Sequence, residues 1–204
     1  GIQSLMEGLS RGLLAHRKVK IFADEFQNSK DFDEKSKLDI QRIGGIKLFR
    51  KFRKAYVAND FLKQNKVQAI FFDHWKSIEN IKKEFLDTIP NFCLIHSKEI
   101  NHPVGTSLNA RMNKAFKKVK FIIANSKFTK SLGINFGLEQ RKIHIINPGT
   151  DYPINVNQSD KMNAKSIFGN AFPKIITVAR LDKRKSHQNI LMTIKNLIPT
   201  YPDI

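Results

Sequence analysis

The stretch KFIIANSKFTKSLGINFGLEQRKIHIIN, residues 120–147, holds two short apolar runs on either side of a segment with helical spacing. The runs at 120–126 and 142–147 are short, almost continuously apolar and rich in isoleucine, which is how strands buried within a parallel sheet read. The segment between them, 126–136, carries a helical pattern. A strand, a helix and a second strand in immediate succession predict a parallel βαβ unit, because parallel neighbours need a crossover connection.

The same alternation extends upstream. VQAIFFD (67–73) and NFCLIHS (91–97) are further strand-like runs, and SLNARMNKAFKKV (107–119) is a further helical pattern. Short apolar strands alternating with helices predict a doubly wound parallel sheet covered on both faces, in which ligands bind at the carboxyl ends of the strands. Nearer the beginning, Ile2, Leu5, Met6, Leu9, Leu13 and Leu14 predict an amphipathic helix over about 3–16, followed by a strand at 18–24, a polar stretch at 25–37 and a helical segment at 47–64. A βα domain that opens on a helix is expected to lack its first strand. After Asn147 the composition turns to Pro, Gly, Asn and Ser, the signature of a linker. A new strand at 174–180 and a new helix at about 187–198 then begin a second series. The expected organisation is a Rossmann-like domain over 1–152, a linker over 153–173 and an incomplete second Rossmann-like domain over 174–204. One strand and one helix cannot bury a core by themselves.

With 204 residues, 41% of them hydrophobic, the chain has material for a proper core. The longest apolar runs fall far short of the roughly 18 to 20 residues that span a bilayer, and the beginning does not read as a signal peptide. Cys93 is the only cysteine, so no intrachain disulfide forms, and its apolar surroundings suggest a buried thiol in a reducing, cytoplasmic setting. The net charge is +18, from 36 Lys plus Arg against 18 Asp plus Glu. Its lysines are scattered rather than gathered into a stripe, which argues against a dedicated nucleic-acid surface and favours a general attraction to anionic membrane at about 1 kcal/mol per cation near the surface.

Chemistry-bearing residues concentrate at strand ends. Arg180, Lys183, Arg184, Lys185 and His187 cluster where the strand at 174–180 passes into a helix. An anion site, a solvated loop and a nucleic-acid patch are the competing explanations. Helix N-termini present unpaired N–H groups and a partial positive charge, so a phosphate fits there, with Arg180 and Lys185 at R-x(4)-K spacing as its cations; Lys183 and Arg184 read as solvated loop charges. His96 ends the strand at 91–97 and reads either as a functional imidazole or as a strand-end histidine bonded to a loop. His74 and Trp75 end the preceding strand, with Trp75 read as packing. Asp73 and Glu99 are the nearest carboxylates, and nothing in the sequence fixes them as an acid–base pair. Asn147, Gly149 and Asp151 read as a structural turn. The six histidines and Cys93 show no metal-ligand spacing.

ITVARLDKRKSHQNI (176–190) resembles the donor-site segment of family 4 glycosyltransferases of the GT-B fold, a strand followed by G-R-L-x(3)-K-G and a helix. The likeness continues in FIIANSKFTKSLGINFGLEQRKIHIINPGTDYP (121–153), which resembles the family's strand ending in Ser, its Thr-bearing helix and its N-x-G-x-D loop. FFDHW (71–75) and CLIHSKEI (93–100) resemble the two strand ends that carry histidines in the acceptor-side domain. GIQSLMEGLSRGLLAHRKVKIF (1–22) resembles the helix after the N-terminal glycine loop and the strand beyond it. Ala179 and Ser186 stand where the pattern has Gly, and Ser186 is expected to cap the helix instead.

The resemblance implies an α/β protein of the GT-B type, with residues 1–152 as the acceptor-side domain and 174–204 as the first βα unit of the donor-nucleotide domain. It implies transfer of a sugar from a nucleotide diphosphate sugar to a glycan or lipid-linked acceptor, with retention at the anomeric carbon and with neither cofactor nor metal. Arg180 and Lys185 would hold the donor diphosphate, and His96, the catalytic candidate, would face the transferred sugar or the acceptor; Gly1, His74 and Glu99 would line the acceptor cleft. The family's Glu-x(7)-Glu donor segment has no counterpart in these 204 residues, so the fragment alone is expected to be inactive. A basic α/β binding module without catalysis is the alternative from another class, and an inverting relative or a sugar-nucleotide epimerase would share the fold.

Overall fold

The computed structural model describes residues 2–149 and 155–204. Two of the positions singled out above, Gly1 and Asp151, lie outside them. The chain divides into two compact units, Gly1–Gly149 and Thr150–Ile204.

In chain order the first unit contains α1 (Ile2–Leu14), β1 (Ile21–Asp24), α2 (Ser29–Ser36), β2 (Ile40–Ile43), α3 (Lys47–Gln64), β3 (Ile70–Phe72), α4 (Lys83–Thr88), β4 (Asn91–Ile95), α5 (Ser107–Lys117), β5 (Phe121–Ala124), α6 (Lys127–Asn135) and β6 (Ile143–Ile145). All strand pairs are parallel. Instead of one continuous sheet, the described strands form two: the pair β1-β2 and a four-stranded sheet ordered β3-β4-β5-β6. The α/β architecture with parallel strands stands, and the expectation of a single sheet does not.

Register aligns Phe72 with Cys93, Cys93 with Ile122 and Ile122 with Ile143, so these four side chains form a buried row across one face of the larger sheet. Met112, Ala115, Phe116 and Val119, from α5 and the turn after it, join them in the core. Thr106 caps α5 by accepting from the Asn109 N–H at 3.2 Å, and Ser126 caps α6 by accepting from that of Thr129 at 3.1 Å. At Gly133 a Cβ would meet Leu138, Ile95 and Ile143 side chains at 3.2–3.5 Å, so glycine lets α6 approach the sheet.

The other face departs from the expectation of full coverage. Phe71, Phe92 and Phe121 stack across β3, β4 and β5 with centroids 4.9 and 5.0 Å apart, and His144 of β6 extends the row at 5.9 Å. Phe121 and His144 are exposed, and with Phe92, Ile123 and Ile146 they line an open concavity. The rings stabilise one another across strands on a face that stays partly open to solvent.

The polar stretch at 25–37 proves structured. Arg42 of β2 grips Asp33 of α2 with two guanidinium nitrogens, at 2.9 and 2.5 Å, while its guanidinium lies 5.0 Å from the Phe26 ring and 5.8 Å from that of Phe32. That pairing holds the Asp33 carboxyl below its ordinary range. α3 packs on β1 and β2 and also reaches the main core through Ala55, Ala58 and Leu62.

Unit two contains α7 (Gln158–Phe168) and α8 (His187–Leu197). α7 lies inside the segment read as linker. It is capped by Asn157, whose side chain accepts from Asp160 at 2.7 Å, and ends at Gly169. The strand expected at 174–180 forms no ladder among the described residues, and Ile176 and Val178 are exposed. Apolar β-branched residues favour a strand but do not make one without a partner to accept their hydrogen bonds. No described residue of this unit is fully buried. Among the described residues, no helix is long and apolar enough to cross a membrane.

Asn91, fully buried at the start of β4, is the main polar tie of unit one. Its amide donates to the carbonyls of Leu86 and Ile89 at 2.7 and 2.8 Å and accepts from the Lys120 N–H at 2.9 Å. Asn91→Leu strands three backbone groups, and at about 1–3 kcal/mol per unsatisfied group we expect a loss of about 3 kcal/mol. The measure is a lower urea midpoint with unchanged slope; a loss below about 1 kcal/mol would show that the tie is dispensable.

Candidate functional site

β3 and β4 are parallel neighbours, so their carboxyl ends lie side by side. Each runs into one short 3-10 turn, Trp75–Ser77 after β3 and Lys98–Ile100 after β4. Trp75 joins the two. It is completely buried, and its indole N–H donates to the Glu99 carbonyl at 2.8 Å. The Trp75 ring meets the edge of His102 at 6.0 Å and lies under Lys76 and Arg111, at 5.4 and 5.7 Å. The reading of Trp75 as packing matches this geometry, but its N–H also sets the position of Glu99.

Held in that way, Glu99 turns one carboxylate oxygen onto the backbone N–H of His96. Between them Ser97 adopts φ 98°, a conformation that costs a non-glycine residue energy and keeps the turn sharp. Two buried polar atoms are left over: His96 Nε2 and Glu99 Oε2 have no hydrogen-bond partner among the described residues. Buried polar groups are nearly always paired, so the two mark a place where a ligand group or water completes the structure. At the same end, Asp73 accepts from the Ser77 hydroxyl at 3.3 Å and His74 Nδ1 accepts from the Lys76 N–H at 3.0 Å. His74 therefore carries its proton on Nε2 when neutral. Burial lowers its pKa below the ordinary 6.5, with Asp73 and Glu99 opposing and Lys76 and His102 assisting. Burial also raises the Cys93 thiol well above its usual value, so it stays protonated.

His74, His96, Glu99 and Asp73, all visible as strand-end residues in the sequence, thus gather at one end of the sheet. Ser97 and His102 belong to the same cluster and were not singled out; the spacing H-S-K-E-I-N-H (96–102), two histidines flanking a glutamate, was the available signal. Asn147 donates its amide N–H to the Asn125 carbonyl at 3.1 Å, tying the loop after β6 to the end of β5.

In unit two, Asp182 accepts from the Arg184 backbone at 3.0 Å and pairs with its guanidinium at 2.9 and 3.2 Å. The pairing depresses the Asp182 pKa strongly and raises that of Arg184. Arg184 is therefore committed locally. Arg180 and Lys185 are exposed and have no acidic partner among the described residues. His187 closes the turn through a 2.9 Å contact of Nε2 with the Arg180 carbonyl. Ser186 does not cap α8 with its side chain as expected; it sits in the left-handed region at φ 53°. That is the conformation the glycine of the resembled pattern adopts freely, and Ser occupies it at a cost of about 1 kcal/mol.

No family model matches the chain and no curated protein matches it. Solved structures do. Among them are structures of HepE of Anabaena in complex with UDP (14% identity, TM-score 0.65, covering 87% of this chain and 58% of HepE), with UDP and glucose (15%, 0.68, 98% and 55%) and with UDP-glucose (15%, 0.67, 96% and 54%). The chain spans little more than half the length of HepE and shares its fold, an α/β fold of the GT-B type.

The lowered pKa of His74 fixes a sign. Between its folded value and 6.5 the unfolded chain binds the extra proton, so this group's contribution is complete above 6.5 and is lost as pH falls from there towards the folded value. We expect stability, measured by urea unfolding, to drop more between pH 7.5 and 5.5 in the wild type than in His74→Gln; equal drops would show that His74 is not the group responsible.

Proposed function

We propose that the chain is part of a nucleotide-sugar glycosyltransferase, transferring a sugar from a nucleotide diphosphate sugar to a glycan or lipid-linked acceptor with retention at the anomeric carbon. The observation that carries the reading is the pair of buried, unpartnered atoms, His96 Nε2 and Glu99 Oε2, at the carboxyl end of β4, beside that of its parallel neighbour β3. Open α/β sheets bind ligands at that end, and neighbouring hydroxyls of a sugar are the kind of group that satisfies an imidazole nitrogen and a carboxylate together. The chemical class of donor comes from HepE, whose structures hold UDP, glucose and UDP-glucose at the same fold.

Each residue then has a role. His96 faces the transferred sugar, and Glu99 and His74 contact sugar or acceptor hydroxyls. Neutral His74 offers an Nε2–H donor without placing a positive charge beside the reacting centre. Arg180 and Lys185, at the start of α8, hold the diphosphate; as the glycosidic bond breaks, negative charge grows on the leaving phosphate, and two fixed cations beside a helix N-terminus stabilise that charge more than they stabilise the bound donor. We place the reaction at the cytoplasmic side of a membrane and without a metal. We expect the 204-residue chain by itself to bind a donor without turning it over.

Calorimetric titration of the chain with UDP and UDP-glucose tests the reading. Binding is expected to weaken at least tenfold in Arg180→Ala and in Lys185→Ala, since a charge-assisted contact contributes about 1.5–3 kcal/mol, and to be unchanged in Lys183→Ala. Equal affinity in all three variants, with binding to any polyanion that falls steeply with salt, would instead identify a basic binding module.

A further inference from the structure

α3 carries a feature that donor chemistry does not use. Leu48, Phe52 and Tyr56 recur at intervals of four and share one helical face with Phe49. Each is between 50% and 75% exposed. The helix meets the core on a different face, through Ala55, Ala58 and Leu62. Large apolar side chains aligned on a helix and left in water mark an interaction surface.

The charges around that face select its partner. The first two turns of α3 contain Lys47, Arg50, Lys51, Arg53 and Lys54 and no acidic residue. Arg50 and Arg53 are turned back onto the carbonyls of Gly45 and Gly44, at 2.9 and 3.0 Å, and Lys54 pairs with Asp24 at 2.9 Å. Among the described residues, Lys47 and Lys51 have no acidic partner, and the Lys51 ammonium rests 4.7 Å from the centre of the exposed Phe52 ring. Aromatic and leucine side chains on one face, bordered by lysines whose stems are long enough to keep their charge at the headgroups, are the attributes of a helix lying in the interface of an anionic bilayer.

We propose that the amino-terminal half of α3 is a membrane-docking element, seating Leu48, Phe49, Phe52 and Tyr56 among the lipids while Lys47 and Lys51 contact anionic headgroups. This rests on the membrane-surface part of the proposed function and is independent of the donor site. It also goes further than a general attraction of a basic protein to a negative surface, because it assigns the contact to one helix and requires apolar insertion as well as charge.

Co-sedimentation of the chain with vesicles separates these cases. Wild-type chain is expected to pellet with phosphatidylcholine–phosphatidylglycerol vesicles and to remain in solution with phosphatidylcholine alone. Both Phe49→Ser/Phe52→Ser and Lys47→Glu/Lys51→Glu are expected to lose on the order of tenfold or more in vesicle affinity. A control with the same charge change on α7, Lys161→Glu/Lys165→Glu, is expected to lose much less. Far-ultraviolet circular dichroism establishes that each variant keeps its fold, which exposed positions permit. The proposal is overturned if the wild type ignores anionic vesicles, if the phenylalanine pair binds as the wild type does, or if the α7 control loses as much as the α3 lysine pair. UDP-glucose binding is measured in parallel: its retention by the α3 variants separates a failure of docking from a failure of the donor reading.

Discussion

The hydrogen bond from the Trp75 indole to the Glu99 carbonyl is the constraint on which the candidate site depends. A fully buried N–H must find an acceptor, and the one available is the backbone of the turn that follows the neighbouring strand. That single requirement ties the exit of β3 to the exit of β4. It also fixes Glu99 so that one carboxylate oxygen meets the His96 N–H while the other stays without a partner. The strained turn at Ser97 persists because the packing around Trp75 determines it from both sides. Unit one thereby presents a preorganised pair of polar atoms on rigid strand ends, the economical way to build a binding site on an α/β scaffold.

The two units differ in how they are stabilised. Unit one buries a continuous row of side chains across its larger sheet and ties β4 to α4 and β5 through Asn91. Unit two rests on two helices, of which α7 is capped by the Asn157 side chain, and on a closed basic turn, with apolar side chains such as Ile176, Val178 and Leu181 facing water. The basic turn is nonetheless ordered by specific contacts, Asp182 with Arg184 and His187 with the Arg180 carbonyl, which leave Arg180, Lys183 and Lys185 exposed and without an acidic partner among the described residues.

How much of this was legible in the sequence follows from which forces leave a period. β4, β5 and β6 announced themselves as apolar runs, and α3 spans the 47–64 read from its spacing. α2 and β2 went unread because what holds them, the Arg42–Asp33 pair with Phe26 and Phe32 beside the guanidinium, produces no repeat. α7 was hidden by its composition, although Asn157 and Gly169 bracket it as cap residues. The segment 174–180 shows the opposite error, since its apolar residues satisfy a strand pattern while a ladder requires a second strand that the pattern cannot supply. At the site, His74, His96 and Glu99 were visible because strand ends are where parallel sheets bind ligands; the Trp75 pin and the Ser97 backbone depend on the closeness of two loops, which only folding reveals.

The most direct test of the account is nitrogen-15 NMR of the histidine side chains during titration with UDP-glucose. If His96 Nε2 is the unpartnered group that a sugar hydroxyl completes, its resonance shifts with saturation while those of exposed His16 and His144 stay in place. A His96 resonance that remains fixed while UDP-glucose binds would contradict the account, because the buried Nε2 would then have no part in recognising the sugar.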